Sequence, residues 1–244
     1  MIHIDTASVS NVTSSFDSYG PQPSVTKLDG NPFQCQVILG NRHRRLRSVA
    51  LKNAQIPIGF FNIRAPYNVL IIDSIEYTVQ PGNYSITNLI NAINSLVTLT
   101  VGEFDVDDLT NTITFTSGSG VPILTVTQPS LLYFLGFTNL QQGVSITATY
   151  SYIVNWDTYL NIWIENLGQS SLEPAQITYK VPLSVGSAGV QQYSEATNHI
   201  QKLDVTDRGV RLDRLNIQIQ DRFGNMLNNN GIDWSFTLEI EADT

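Results

Sequence analysis

Cysteine is almost missing from this chain. One residue, Cys35, stands alone among 244, so no disulfide framework can form within it. Charge is sparse as well: Asp, Glu, Lys and Arg make up 14% of the residues, against about 25% in an average soluble protein. The basic sign is the scarcer one, 13 Lys and Arg against 21 Asp and Glu, for a net charge of −8. General nucleic-acid binding needs a basic footprint, and this balance argues against it. No apolar stretch approaches the roughly 20 residues of a membrane-spanning helix. The opening residues Met1, Ile2, His3, Ile4 and Asp5 do not form a charged segment followed by an apolar one, so no secretory leader is expected.

Asn, Gln, Ser and Thr stand where charge would be. These neutral groups suit turns and the wet faces of strands, and they do not repel a neighbouring subunit. The pattern fits a surface covered by partners, and equally an exported β-protein. The apolar fraction of 42% supplies a sizeable core. It is arranged mostly with a period of two. Leu215, Ile217 and Ile219 alternate with Asn216, Gln218 and Gln220; after a turn-rich stretch, Trp234, Phe236, Leu238 and Ile240 alternate with Ser235, Thr237, Glu239 and Glu241. Successive side chains of a strand point to opposite faces, so each run is a strand with one dry face that a second sheet must cover. Similar runs occur at 33–39, 47–58, 67–79, 144–154, 159–165, 176–183 and 199–205. Residues 184–198 are small and polar and read as a long loop.

The period changes once. Ile86, Leu89, Ile90, Ile93, Leu96 and Val97 recur at spacings of three and four, one face of a helix, with Ser85 or Thr87 as its cap. Short β segments follow at 99–104, 112–116 and 123–126, then a compact apolar plug at 131–137. The expected class is therefore all-β: a single jelly-roll β-sandwich of about eight antiparallel strands, with a small α+β insertion and an extended N-terminal arm. The expected boundaries are 1–30 for the arm, 31–65 and 144–244 for the jelly-roll domain, and 66–143 for the insertion.

Candidates for chemistry are few. Nucleophilic catalysis needs a nucleophile beside a base, and the residues available are Cys35 with His3, His43 and His199. No motif links them, so no enzyme is expected and no catalytic, cofactor-binding or metal residue is assigned. Asp105, Asp107, Asp108 and Asn111 offer oxygens at calcium-like spacing, but without the central Gly and terminal Glu of an EF-hand they read as a turn. The basic cluster Arg42, His43, Arg44, Arg45 and Arg47 reads as a loop that meets solvent, an acidic neighbour or packaged nucleic acid. Tyr150, Tyr152, Trp156, Tyr159 and Trp163 form an aromatic cluster suited to a core, a subunit interface or a sugar. Trp163 lies on the opposite parity from Leu160 and Ile162, which makes it the interface candidate.

Three segments carry a resemblance. They are residues 49–63, an early strand ending at Ile56, Pro57 and Ile58; residues 77–90, continued by Ile113, Phe115, Leu135, Gly136 and Phe137; and residues 212–224 with 233–240, containing Asp221, Arg222, Phe223, Gly224, Asp233 and Trp234. In their order they resemble the penton proteins of virophages, polinton-like viruses and related double-jelly-roll-lineage DNA viruses, which are single jelly-roll minor capsid proteins. The resemblance implies a homopentamer at the icosahedral fivefold vertices, with trimers of a double jelly-roll major capsid protein as neighbours. It implies no cofactor. The alternatives are another minor capsid, fibre or receptor-binding component, or a carbohydrate-binding β-sandwich.

Overall fold

The computed structural model describes residues 2–7, 12–14, 24–43, 46–165, 177–186, 188–196, 202–204 and 212–242. The chain begins with β1 (Ile2–Asp5), β2 (Val12–Ser14), β3 (Ser24–Leu28), β4 (Asn31–His43) and β5 (Leu46–Pro57). It continues through β6 (Val69–Ile72), β7 (Ile75–Thr78), α1 (Ile86–Leu96), β8 (Gly102–Asp107), β9 (Thr112–Ser117) and β10 (Ile123–Thr125). Then come α2 (Leu131–Phe134), β11 (Gln141–Gln142), β12 (Ser145–Thr147), β13 (Tyr159–Glu165) and β14 (Ile177–Pro182). The last strands are β15 (Val190–Ser194), β16 (Lys202–Asp204), β17 (Leu212–Gln220) and β18 (Ser235–Ala242). Two compact units result, Met1–Phe60 with Asp157–Thr244, and Phe61–Trp156.

The first unit holds two antiparallel sheets. One runs β15-β5-β18-β1-β2, with β16 also on β5; the other runs β14-β13-β17-β4-β3. Count β1, β4, β5, β13, β14, β15 with β16, β17 and β18 as eight strands in chain order. The sheets then read 1-8-3-6 and 2-7-4-5, the strand order of a jelly roll. The alternation in the sequence supplies the filling. Phe33, Cys35 and Val37 of β4, Leu160, Ile162 and Ile164 of β13, and Leu215, Ile217 and Ile219 of β17 share one buried cluster with Val49, Leu51 and Ile56 of β5 and Phe236 and Leu238 of β18. Trp234 stacks on Phe236 at 4.5 Å, and its Nε1 donates to the Pro32 carbonyl at 2.7 Å.

The second unit has its own core. A sheet ordered β11-β10-β6-β7 and a sheet ordered β12-β9-β8 accompany α1 and α2. Helix α1 starts where Ser85 accepts from the Asn88 amide at 3.3 Å, and it buries Leu89, Ile90 and Ile93. Asn94 of α1 exchanges two hydrogen bonds with the Phe104 backbone, both 2.8 Å, and so pairs with β8 as a neighbouring strand would. Trp156 stacks on Phe134 at 4.0 Å, with Tyr67 edge-on to both rings.

Several expectations change. Residues 1–30 are not wholly an arm: β1 pairs with β18, β3 pairs with β4, and Ile4 and Val25 are core residues. Runs of four and five residues are hard to separate from coil by period. The run at 67–79 is not one strand but the hairpin of β6 and β7, turned by Asp73 and Ser74 at φ 50° and 65°. Two left-handed residues in succession make the tight hairpin turn. The expected loop at 184–198 contains β15, whose Gln191 and Tyr193 are buried. In the run at 144–154 only Ser145–Thr147 is a strand, and it pairs with β9 inside the second unit. That unit, Phe61–Trp156, is wider than the expected 66–143 because β12 and Trp156 belong to its core.

Candidate functional site

Among the described residues, Cys35 and His3 lie on strands of different sheets. Cys35 points inward from β4 in one sheet, and burial pushes its thiol up to about 12, against a smaller opposing pull from Lys27. A protonated thiol in a closed core is a poor nucleophile. His3 is exposed on β1 of the other sheet, its Nδ1 at 3.0 Å from the Thr237 hydroxyl. His43 lies in β4 with its side chain outside the described residues, and His199 lies outside them altogether. Arg47 is exposed; the side chains of Arg42, Arg44 and Arg45 are also outside the described residues.

The oxygen-rich stretch after β8 folds on itself. One Asp107 oxygen accepts from the Leu109 amide at 2.9 Å, and the other accepts from the Thr110 hydroxyl at 2.7 Å. The Thr110 hydroxyl, more than the backbone amides, holds the Asp107 carboxyl below its usual range. Asn111 closes the turn at φ 55°. Among the described residues, no three His, Cys, Asp or Glu side chains converge as metal ligands would.

The distinctive C-terminal residues build the fold. Asp221 is fully buried, and its Oδ1 accepts from the backbone amides of Phe223 at 2.8 Å and Asn225 at 2.9 Å. Gly224 takes φ 87° to complete that turn. Asp233 accepts from the Thr6 hydroxyl at 2.9 Å and pairs with Lys27 at 2.5 Å, tying β1 and β3 to the start of β18. The aromatic cluster divides: Trp156 is core, Tyr150 is exposed, and Tyr159 and Trp163 are half-buried on β13.

The outer faces of the two sheets differ. On the β15-β5-β18-β1 sheet, Lys52 bridges Glu195 and Glu239, each at 2.6 Å, and Ser48 donates to Glu241 at 2.7 Å. On the other sheet, Asn216, Gln218 and Gln220 of β17 and Gln34 and Gln36 of β4 point outward, beside Arg214 and the exposed Ile38. Asn216 sits opposite Gln36 and Gln218 opposite Gln34, while across β13 Gln218 faces Trp163 and Gln220 faces Asn161. Gln36 Nε2 donates to Asn216 Oδ1 at 3.0 Å, and Gln220 Nε2 to Gln218 Oε1 at 3.3 Å. Charge reaches this face at Glu165 and Arg214 and at Lys180, which stands opposite Asn161 with its ammonium 4.9 Å from the Tyr159 ring. The sequence pattern marks each amide as outward, but strand order alone brings them into register.

No protein-family model matches the sequence, and no curated protein matches it. Among solved structures, the chain is similar to the selenomethionine-labelled penton protein of mavirus, with a TM-score of 0.40 and 9% identity over 91% of this chain and 92% of that one. Similarity of that size does not by itself assign a function.

Proposed function

We propose that this chain is a structural virion protein, a penton subunit of which five copies close a fivefold vertex of an icosahedral capsid. Trimers of a double jelly-roll major capsid protein would be its neighbours. The work it does is assembly: burial of side surfaces around a rotation axis, with no catalytic step and no cofactor. It acts in the virion and is put together inside the infected host cell. What supports the reading is where the resembling C-terminal segment falls. Its two strands, β17 and β18, are interior strands of the two jelly-roll sheets, and its Asp221 and Trp234 are buried structural residues. A motif spent on the sandwich itself fits a protein whose product is a shape. A cyclic oligomer needs two different side surfaces that fit each other and close the ring.

The test is the mass and symmetry of the purified chain, by light scattering and negative-stain imaging. A closed ring of five is expected, alone or on addition of the major capsid protein. A stable trimer, or a monomer that gains no fivefold order with that protein, rejects the vertex role.

A further inference from the structure

We propose that Asn230 is a site of spontaneous covalent modification, converting through a cyclic imide to aspartate and isoaspartate at a rate set by the turn that holds it. The inference rests on that turn and not on a role in a capsid. Asn230 and Gly231 form the one Asn-Gly pair in the sequence. An asparagine amide is lost in this way when the backbone nitrogen that follows it attacks the side-chain carbonyl carbon. Glycine in second place has no Cβ to hinder the approach. Both residues are exposed here, and the Gly231 N–H meets no acceptor among the described residues. The attacking nitrogen is therefore not engaged elsewhere.

The fold holds the other reactant back. Asn230 and Gly231 take φ 52° and 79°, and the Ile232 amide donates to the Asn229 carbonyl at 3.1 Å, so residues 229–232 form a tight turn with two left-handed residues at its centre. Asn230 Nδ2 donates to the Gly59 carbonyl at 2.7 Å, and the Asn230 backbone N–H donates to Asn228 Oδ1 at 2.9 Å. The same turn grips the end of β5 from its buried neighbour: the Gly59 N–H donates to Asn229 Oδ1 at 2.7 Å, and Asn229 Nδ2 donates to the Pro57 carbonyl at 2.9 Å. For the ring to close, the Asn230 side chain must leave Gly59 and swing to the Gly231 nitrogen. The native chain thus reacts only while the turn is open.

The reaction needs only water. The Gly231 nitrogen bonds to Asn230 Cγ, the Cγ–Nδ2 bond breaks, and Nδ2 leaves as ammonia with the proton of the Gly231 N–H. Water then opens the imide at either carbonyl. Opening on one side gives aspartate; opening on the other gives isoaspartate, with the main chain running through the former side chain. Either product replaces the N–H donor at Gly59 by a carboxylate, which has only acceptors to offer that carbonyl. Isoaspartate also lengthens the backbone by a carbon inside a tight turn whose geometry depends on its residue count. The amide is not restored by water, so modified chains accumulate with the time the turn spends open.

The full-length chain would be held at mildly alkaline pH, native and in urea, then digested with trypsin and followed by mass spectrometry with fragmentation. No Lys or Arg follows Arg222, so Asn230 is read in the peptide that starts at Phe223. In urea, Asn230 should convert faster than Asn225, Asn228 and Asn229 of the same peptide, and Gly231→Ala should slow it about tenfold or more. Folding plays no part in that comparison. In the native chain, conversion should be at least about tenfold slower than in urea. Asn228→Ala removes one bond of the turn and should raise the native rate about fivefold. Asn230→Asp, the direct product, should lower the thermal midpoint. Equal rates for Asn230 and its neighbours in urea overturn the site. Equal native and urea rates, or a native rate unmoved in Asn228→Ala, overturn the control by the turn. If Asn228→Ala fails to fold, the native and urea rates of the parent chain carry that test. An unchanged midpoint in Asn230→Asp overturns the consequence drawn for Gly59. Ring formation is read separately by mass, so the two proposals fail independently.

Discussion

Cys35 shows what a single buried side chain contributes. Its thiol is held protonated to about pH 12 by desolvation, whereas an unfolded cysteine ionises near pH 8.5. Between those values the unfolded chain has released a proton that the folded chain keeps, so stability falls as pH rises. The loss should be on the order of 1 kcal/mol per pH unit from about pH 9 upward, and Cys35→Val should remove this slope; urea unfolding at pH 8 and pH 10 measures both. Tyr179 shifts in the same direction by burial, with the nearby Tyr193 adding to it, so some alkaline sensitivity will remain in the variant. Asp221 is buried as well, enclosed by the turn it organises. Asp221→Ala leaves two backbone amides without their acceptor and should cost about 3 kcal/mol, while Asp221→Asn, which keeps a carbonyl oxygen, should recover part of it. Denaturant midpoints of the two variants check that ranking. The alternating sequence made Cys35 legible as a core residue. It could not reveal Asp221, because a buried Asp in a turn and an exposed one have the same local pattern.

At the scale of elements, the second unit depends on one close backbone approach. Gly136 sits just after α2 at φ 92°, and a Cβ there would run into the Tyr150 carbonyl. That carbonyl cannot retreat easily, because the Tyr150 amide is bonded to the Gly136 carbonyl at 3.1 Å. Gly136→Ala therefore combines strain with a backbone clash, and a loss of at least about 2 kcal/mol is expected; thermal unfolding of the variant measures it. Helix α1 was legible because an eleven-residue element carries three turns of its period. Strands β1 and β2 have four and three residues, too few for an alternation to stand out. The β6–β7 turn was missed for a chemical reason: Asp73 and Ser74 take positive φ without the Gly that usually announces it.

For the whole molecule, the chain order separates two cores. Residues 61–156 bury their own cluster, and the chain enters and leaves that unit side by side, with Asn62 Nδ2 donating to Asn155 Oδ1 at 3.1 Å. A segment with a closed core and adjacent ends should fold alone. Expressed by itself, 61–156 is expected to unfold cooperatively and to show dispersed amide resonances; a spectrum of a disordered chain would mean that its core needs the rest of the protein.

The sequence by itself determined the class of the fold, the inward and outward side of each long strand, and the position of α1, because these follow from local periodicity and a cap. It also determined the scarcity of charge that leaves amides on the outward positions. Only the tertiary structure decided which strands are neighbours. The order 1-8-3-6 and 2-7-4-5 joins residues nearly two hundred positions apart, as with Gln36 and Asn216. Such pairing is chosen by how two whole dry faces pack together. No local pattern records it, so the amide face and the extent of the second core became visible only in three dimensions.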